Sequence, residues 1–228
     1  MTKSMTGPTT LARWKDLCLD ATDPSVVAGF WADALSLDAS FDDDGDAVLR
    51  GAAPEQTVWV NRVHEPKSTK NRVYLDLVRG PADERLAGAA AIREVSAGPA
   101  HWTVMTDPEG NEFCLFSDPD APTALVVDSA DPVADASWWA EVLGGRLMEA
   151  PGGLRRWVEV PGLPFDVLKF VGVEEPKTVK NRVHWDVASD AVAGLLAHGA
   201  TLLRAPDGVI AWHVLADPAG NEFCVFAP

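Results

Sequence analysis

The chain repeats its own sequence, and this constrains the fold more than any other feature. Residues 65–76 and residues 175–186 match at 8 of 12 positions, with a spacing of 110. Residues 107–116 and 217–226 match at 8 of 10 positions with the same spacing. Because this period is longer than that of ordinary solenoid repeats, the pattern predicts two tandem domains of about 110 residues each.

A third block confirms the order of the duplication and helps to place the domain boundaries. It relates Asp20–Leu35 to Asp128–Leu143 at a spacing of 108. The proline-rich segment 118–122 lies between the repeats and is typical of a connection between domains. We therefore predict a first domain at residues 11–118 and a second at residues 123–228.

The composition excludes several classes of protein. A formal net charge of -15 opposes binding to nucleic acid, and its field favours neutral or cationic small molecules. The polar N-terminus has no apolar signal region, and no apolar run reaches the length of a membrane span. Three cysteines are too few and too widely spaced for a disulfide framework. We therefore expect a cytoplasmic protein that binds neither nucleic acid nor a membrane.

Helix and strand signals alternate in the same order in both repeats. Asp-Pro pairs, which are typical helix starts, precede apolar stripes of helical spacing, and these predict helices at 24–35 and 132–143. Shorter helices are expected around 82–92 and at 190–198. Runs of alternating character predict the strands, and the turn Asp-Pro-x-Gly-Asn predicts a hairpin near the end of each repeat. The sequence thus predicts an α+β fold in which each domain contains two βαβββ modules.

Three motifs recur in both repeats and carry a family resemblance. They are Asp-Pro with Phe-Trp or Trp-Trp in the first helix, Lys-Asn-Arg-Val before the middle strand, and Asp-Pro-x-Gly-Asn-Glu-Phe-Cys at the end. In this order the chain resembles the vicinal-oxygen-chelate superfamily, which includes glyoxalase I, bleomycin-resistance proteins and extradiol dioxygenases. The resemblance implies βαβββ modules that curl into clefts for a ligand, often with a divalent metal. It also implies that the duplicated chain forms in one polypeptide the pseudo-dimer that shorter relatives form by association, as a monomer or a homodimer.

The resemblance also indicates where metal ligands would stand. The place on the first strand falls near Asp16 in the first repeat and Ala124 in the second. The strand after Lys-Asn-Arg offers Tyr74 and His184, and the final strand, where the family usually has Glu, offers Cys114 and Cys224. Neither repeat keeps a four-ligand set, so glyoxalase I activity itself is not expected.

The second repeat keeps more ionisable groups at these places. Strand alternation puts His184 and Asp186 on one face of their strand, and Glu222 and Cys224 on one face of the last strand. His184, Asp186 and Glu222 are therefore candidate catalytic residues, and His184 with Cys224 is the candidate metal pair for zinc, iron, nickel or manganese. The alternative is structural, with Cys224 in the core and His184 hydrogen-bonded within the sheet.

The leading functional hypothesis is a binding protein without an obligatory metal. Nine tryptophans are present, and tryptophan outside a core often lines a ligand cleft. We expect a glyoxalase- or bleomycin-resistance-like protein whose clefts bind a small, partly aromatic organic molecule. The alternatives are a lyase, isomerase or dioxygenase that uses the second-domain cleft, and a scaffold without a small ligand. The candidate ligand-binding residues are Tyr74, Cys114, His184, Cys224, Trp185 and Trp212.

Overall fold

The computed structural model describes residues 10–80, 86–149 and 155–228. The described part of the first repeat contains one α-helix, one short 3-10 helix and eight strands. Their bounds are β1 (Arg13–Ala21), α1 (Pro24–Leu35), β2 (Asp38–Phe41), β3 (Ala47–Arg50), the 3-10 helix (Pro54–Gln56), β4 (Val58–Arg62), β5 (Val73–Val78), β6 (Ala90–Ala97), β7 (Ala100–Thr106) and β8 (Glu112–Phe116).

The described part of the second repeat has the same order of strands and two helices. Their bounds are β9 (Ala124–Ser129), α2 (Pro132–Leu143), β10 (Arg146–Glu149), β11 (Arg155–Glu159), β12 (Val167–Gly172), β13 (Val183–Ala188), α3 (Val192–Ala197), β14 (Thr201–Arg204), β15 (His213–Ala216) and β16 (Glu222–Phe226). The two-repeat α+β architecture is therefore confirmed.

The two long helices begin and end where the sequence predicts. The Asp23 carboxylate accepts hydrogen bonds from the backbone N–H groups of Ser25 and Val26, and a proline occupies the first turn of each helix. Asp131 likewise accepts from the N–H of Ala134. Helix α2 ends at Gly144, whose φ of 64° lies in the left-handed region that glycine adopts without strain.

The sixteen strands form two eight-stranded sheets that exchange modules between the repeats. The first sheet has the order β14-β15-β16-β13-β1-β4-β3-β2, and the second has β10-β11-β12-β9-β5-β8-β7-β6. Antiparallel pairing of β1 with β13, and of β5 with β9, joins the modules at the centre of each sheet. Each sheet therefore combines the first module of one repeat with the second module of the other, and any cleft on a sheet is shared by both repeats.

The main core lies between the sheets and includes the buried faces of α1 and α2. Trp31 on α1 packs against Phe113 of the second sheet, with ring centroids 5.4 Å apart. Trp139 on α2 packs against Trp185 of the first sheet at 4.8 Å. Because side chains alternate along a strand, Leu17 faces this core while its neighbour Cys18 faces the opposite, concave side of the sheet.

The first repeat differs from the prediction in its second module. The prediction of a helix around 82–92 is wrong at the C-terminal end of that range, because residues 90–97 form β6. Residues 81–85 lie outside the described residues. Strand β6 pairs with β7 along its length, and this pairing overrides the local helical pattern. Within the described residues, no helix has the length and apolar character that a membrane crossing requires.

Candidate functional site

A cavity of about 400 Å³ opens on the concave side of the first sheet. We call it the first cleft. Its walls come from both repeats, because β1 and β4 belong to the first repeat while β13 and β16 belong to the second. The lining residues are Lys15, Cys18, Asp46, Trp59, Asn61, His184, Asp186, Trp212, Cys224 and Phe226.

Strand register brings the polar groups of the first cleft together. Cys18 on β1 lies opposite His184 on β13 and opposite Trp59 on β4. Asp186 lies opposite Cys224 on β16. Because alternate side chains point to the same face, these residues all face the cleft while Trp185 faces the core.

Cys18, His184 and Asp186 form a compact cluster at the floor of this cleft. All three are buried, and one potential ligand atom from each lies within 4.8 Å of the others. The Cys18 thiol donates to Asp186 Oδ2 at 3.4 Å. Among the described residues, Asp186 Oδ1 and His184 Nδ1 have no hydrogen-bond partner although both atoms are buried. Unpaired buried polar atoms are costly, so they indicate a place where a ligand supplies the missing contacts.

Burial shifts the protonation of every member of the cluster toward its neutral form. It raises the pKa of Asp186 to about 7, although the Cys18 thiol and the Lys15 ammonium act in the opposite direction. Burial also raises the pKa of the Cys18 thiol, with a further contribution from the Asp186 charge, and it lowers the pKa of His184. The pKa of Cys224 rises to about 12 for the same reason. The thiols and the imidazole are therefore neutral at neutral pH, and the Asp186 carboxyl titrates there.

Aromatic rings form the side walls of the first cleft. Trp212 stacks on Phe226 with centroids 5.1 Å apart and ring planes 25° apart. The Lys15 ammonium lies 4.5 Å from the centre of the Phe226 ring and forms an ion pair with Asp16. Trp59 donates its indole N–H to Asp16 Oδ2 at 3.2 Å, which fixes the indole at the cleft wall. The cleft thus presents flat apolar faces around a buried polar floor.

The donor set of the cluster is compatible with a divalent metal. Thiolate, imidazole and carboxylate together are ligands that zinc and iron accept. The unpartnered His184 Nδ1 and Asp186 Oδ1 are further support for such a fit. Ion binding would require the Cys18 thiol to lose its proton and its hydrogen bond to Asp186.

The corresponding face of the second sheet carries the equivalent positions, and we call this group of residues the second cleft. Val126 on β9 lies opposite Tyr74 on β5 and opposite Lys169 on β12, and Asp76 lies opposite Cys114. Lys169 is buried and forms an ion pair with Asp76. Tyr74 donates to Asp128 Oδ1 at 3.2 Å, and burial raises the pKa of both Tyr74 and Cys114.

The site residues predicted from the sequence lie at four different places in the structure. His184, Asp186, Cys224 and Trp212 line the first cleft, whereas Tyr74 and Cys114 belong to the second. Trp185 is fully buried in the core against Trp139. Glu222 lies beside the hairpin turn, where its carboxylate binds Lys177 at 2.7 Å and the Asn181 N–H at 3.2 Å.

Sequence reasoning missed the partners that the other repeat supplies. Cys18 completes the cluster, yet it belongs to the first repeat while His184 belongs to the second. The alternation of β1 contained one signal, because Cys18 follows Asp16 on the same face. Lys169 was also missed as a site residue, although a lysine within an otherwise apolar strand is unusual.

The family assignment rests on a match that covers most of the chain. The family model described as "Glyoxalase-like domain" matches residues 16–116 and again residues 124–226. The chain belongs to the glyoxalase-like domain family. The two matches confirm that glyoxalase-like domains are present in tandem. Among curated proteins, no sequence matches this chain.

Solved structures show the same glyoxalase-like fold at low sequence identity. Glyoxalase I from Zea mays is 14% identical, with a TM-score of 0.64 over 95% of this chain and 92% of that chain. A putative dioxygenase from Bacillus subtilis is 12% identical, with a TM-score of 0.65 over 95% of this chain and 85% of that chain. At these identities the comparison concerns the fold, and the chemistry has to be argued from the cleft residues.

Proposed function

We propose that the first cleft binds a small, partly aromatic organic molecule and that this binding needs no metal. The observation that carries the proposal is the cavity of about 400 Å³ with Trp59, Trp212 and Phe226 in its walls and Asp186 at its floor. Ligand sites are typically concave and mostly apolar, with a few polar groups that orient the ligand. Burial raises the pKa of the Cys18 thiol, which opposes the loss of the proton that a metal ligand must give up.

The two clefts provide a matched test of this proposal. Trp212 stacks on Phe226 in the first cleft, and Trp102 stacks on Phe116 at the equivalent place in the second, with centroids 5.3 Å apart. We expect Trp212→Ala to weaken the binding of an aromatic ligand by about tenfold, because a buried aromatic contact contributes about 1–3 kcal/mol. Trp102→Ala removes the same ring from the other cleft and should leave the affinity unchanged.

Titration calorimetry of both variants, with aromatic compounds selected by a fragment screen on the wild type, measures this difference. Calorimetry is preferred because the substitutions themselves change tryptophan fluorescence. Equal losses in the two variants, or a screen without any bound aromatic compound, would contradict the proposal.

A second candidate function is an enzyme of the lyase, isomerase or dioxygenase type. The compact Cys18, His184 and Asp186 cluster favours it, since these residues would hold a divalent ion that polarises oxygen atoms of a substrate. Without an ion, a carboxyl with a pKa of about 7 beside a neutral imidazole has the proton affinity required for acid–base catalysis at neutral pH.

Metal content distinguishes the leading proposal from the metal-dependent form of the second candidate. That form predicts one bound ion per chain after incubation of tag-free protein with zinc, iron, nickel or manganese. It also predicts loss of that ion in His184→Ala and Cys18→Ala, but not in Cys114→Ala of the second cleft. Mass spectrometry provides the measurement, and the leading proposal predicts that the wild type binds no stoichiometric ion.

A further inference from the structure

The two clefts are built alike but differ at a strand position that carries a tryptophan in the first cleft and a lysine in the second. Register places Trp59 opposite Cys18 in the first cleft and Lys169 opposite the equivalent Val126 in the second. Asp186 and Asp76 also occupy equivalent places, since each lies opposite a cysteine of the parallel neighbouring strand. The first cleft therefore has an indole at the strand position from which the second cleft extends an ammonium group.

In the second cleft, the ammonium of Lys169 neutralises the buried carboxylate. Only 7% of the Lys169 side chain and 3% of the Asp76 side chain are exposed in this ion pair. The same ammonium lies 5.2 Å from the centre of the Phe116 ring and 6.0 Å from that of Trp157. Carboxylate and ring faces together make a favourable site for a cation in a water-poor environment.

In the first cleft, the equivalent carboxylate has no such ammonium. Asp186 is 3% exposed, and among the described residues it forms no salt bridge and leaves Oδ1 without a hydrogen bond. The nearby ammonium of Lys15 forms an ion pair with Asp16, and Ala124 occupies the place of Asp16 in the second cleft. Lys15, which the second cleft lacks, is therefore paired with Asp16, and Asp186 has no ion-pair partner among the described residues.

The first cleft keeps the aromatic part of the cation site, although the Lys15 ammonium already lies 4.5 Å from the centre of the Phe226 ring. Phe226, paired with Ala188, corresponds to Phe116, paired with Val78, and both rings stack on a tryptophan. The cavity of about 400 Å³ adjoins Asp186, Trp59 and Phe226. The net charge of -15 adds a field that attracts cations to the protein.

We infer that the ligand of the first cleft carries an ammonium group next to an aromatic ring. This ammonium binds Asp186 in the way that the Lys169 ammonium binds Asp76, and the ring lies against Trp212, Phe226 or Trp59. The inference deepens the proposed function and rests on it, because it assigns a charge class to the ligand of that same cleft. A divalent ion at Cys18, His184 and Asp186 would also neutralise the carboxylate, so the experiment must separate the two cases.

The experiment compares three probes of similar size and different charge on EDTA-treated protein. Titration calorimetry with benzylammonium, benzyl alcohol and benzoate should show benzylammonium binding at least about tenfold more tightly than benzyl alcohol, because a charge-assisted contact in a buried site is strong. Asp186→Asn should abolish this advantage, so that benzylammonium and benzyl alcohol bind the variant with affinities within about twofold of each other.

Two further variants serve as controls. The first tests the effect of losing a negative charge away from Asp186, and the second supplies Asp186 with an ammonium group from the protein itself. Asp44→Asn removes one charge from the exposed loop that precedes the cleft residue Asp46, and it should keep the preference for benzylammonium. Trp59→Lys introduces an ammonium at the position of Lys169 and should abolish the preference by supplying Asp186 with an internal cation. Circular dichroism of each variant confirms that the fold is kept.

The outcomes separate this inference from the proposed function. Binding of benzyl alcohol or benzoate without a preference for benzylammonium would overturn the inference and leave the proposed function standing. A preference that survives in Asp186→Asn, or benzylammonium binding that zinc abolishes at one ion per chain, would also overturn it. If none of the three probes binds the wild type, the proposed function and the inference both fail.

Discussion

At the scale of single residues, a buried carboxylate behaves differently in two equivalent places because its neighbours differ. Asp76 has an ammonium against it, whereas Asp186 has the weakly polar thiol of Cys18. Burial without an ion-pair partner raises the pKa of Asp186 to about 7. The unfolded chain has an ordinary carboxyl there, with a pKa of about 3.9.

This difference in the Asp186 pKa predicts a dependence of stability on pH. Between about pH 4 and pH 7 the folded state keeps a proton that the unfolded state has lost, so the free energy of unfolding falls as the pH rises. Asparagine does not titrate, so Asp186→Asn should become more stable relative to the wild type by a few kcal/mol between pH 4 and pH 8. Urea denaturation of EDTA-treated protein at several pH values measures the difference.

The surroundings of Asp186 determine how this test must be controlled. Lys15, Asp16 and Cys18 on β1, Asp46 before β3, His184 on β13 and Cys224 on β16 all lie near the same cleft. They remain in the variant, so the comparison with the wild type isolates the change at position 186. Asp44→Asn removes an exposed carboxylate and controls for the loss of one charge. If the difference in the free energy of unfolding between Asp186→Asn and the wild type does not vary with pH, the pKa of Asp186 is not raised in the folded state.

At the scale of elements, the residues that the repeats share build the framework. In the hairpin after β15, Asp217 accepts hydrogen bonds from the Asn221 N–H at 2.8 Å and from the Trp139 indole at 2.9 Å. Asn221 in turn accepts from the Asn181 side chain at 3.0 Å, which connects the turn to the Lys-Asn-Arg segment. The first repeat forms the same contacts from Asp107 to Asn111 and Trp31.

These contacts explain how much of the molecule could be predicted from the sequence. Many residues that are identical in both repeats form helix caps, turns and buried hydrogen bonds. They therefore predict the helices, the hairpins and the fold. Several cleft residues differ between the repeats, such as Tyr74 against His184 and Lys169 against Trp59, whereas Asp76 and Asp186 are the same residue type. Their chemistry depends on contacts between distant strands, and a single-sequence pattern does not contain that information.

At the scale of the whole molecule, the exchange of modules determines which residues meet. The strands of the two repeats have similar patterns, so the sequence does not distinguish pairing of β1 with β13 from pairing of β1 with β5. In the structure β1 pairs with β13, and the backbone hydrogen bond from the Asp20 N–H to the Arg182 oxygen at 2.7 Å extends that pairing. The pseudo-symmetric bond from Asp128 to Arg72 has the same length in the other sheet. The first cleft therefore needs both repeats.

This exchange predicts how the chain behaves when it is divided between the repeats. The loop between β8 and β9 is exposed around Pro119 and Asp120, so a break there leaves every strand intact. Residues 1–119 and 120–228, co-expressed with a tag on one of them, should purify as a 1:1 complex because each sheet requires strands from both pieces. The complex should bind the same aromatic probe as the intact chain, since the first cleft is complete.

The separate pieces provide the decisive comparison. Residues 120–228 contain His184 and Asp186 but lack β1 and β4, which supply Cys18 and Trp59 to the cleft. Alone, this piece should show no calorimetric binding of the probe and should self-associate or unfold without cooperativity, because the edges of β13 and β9 that pair with β1 and β5 are left unpaired. Light scattering reports the association. If residues 120–228 are a cooperatively folded monomer that binds the probe, then each repeat closes on itself in solution, and the shared cleft on which the cluster of Cys18, His184 and Asp186 depends does not exist.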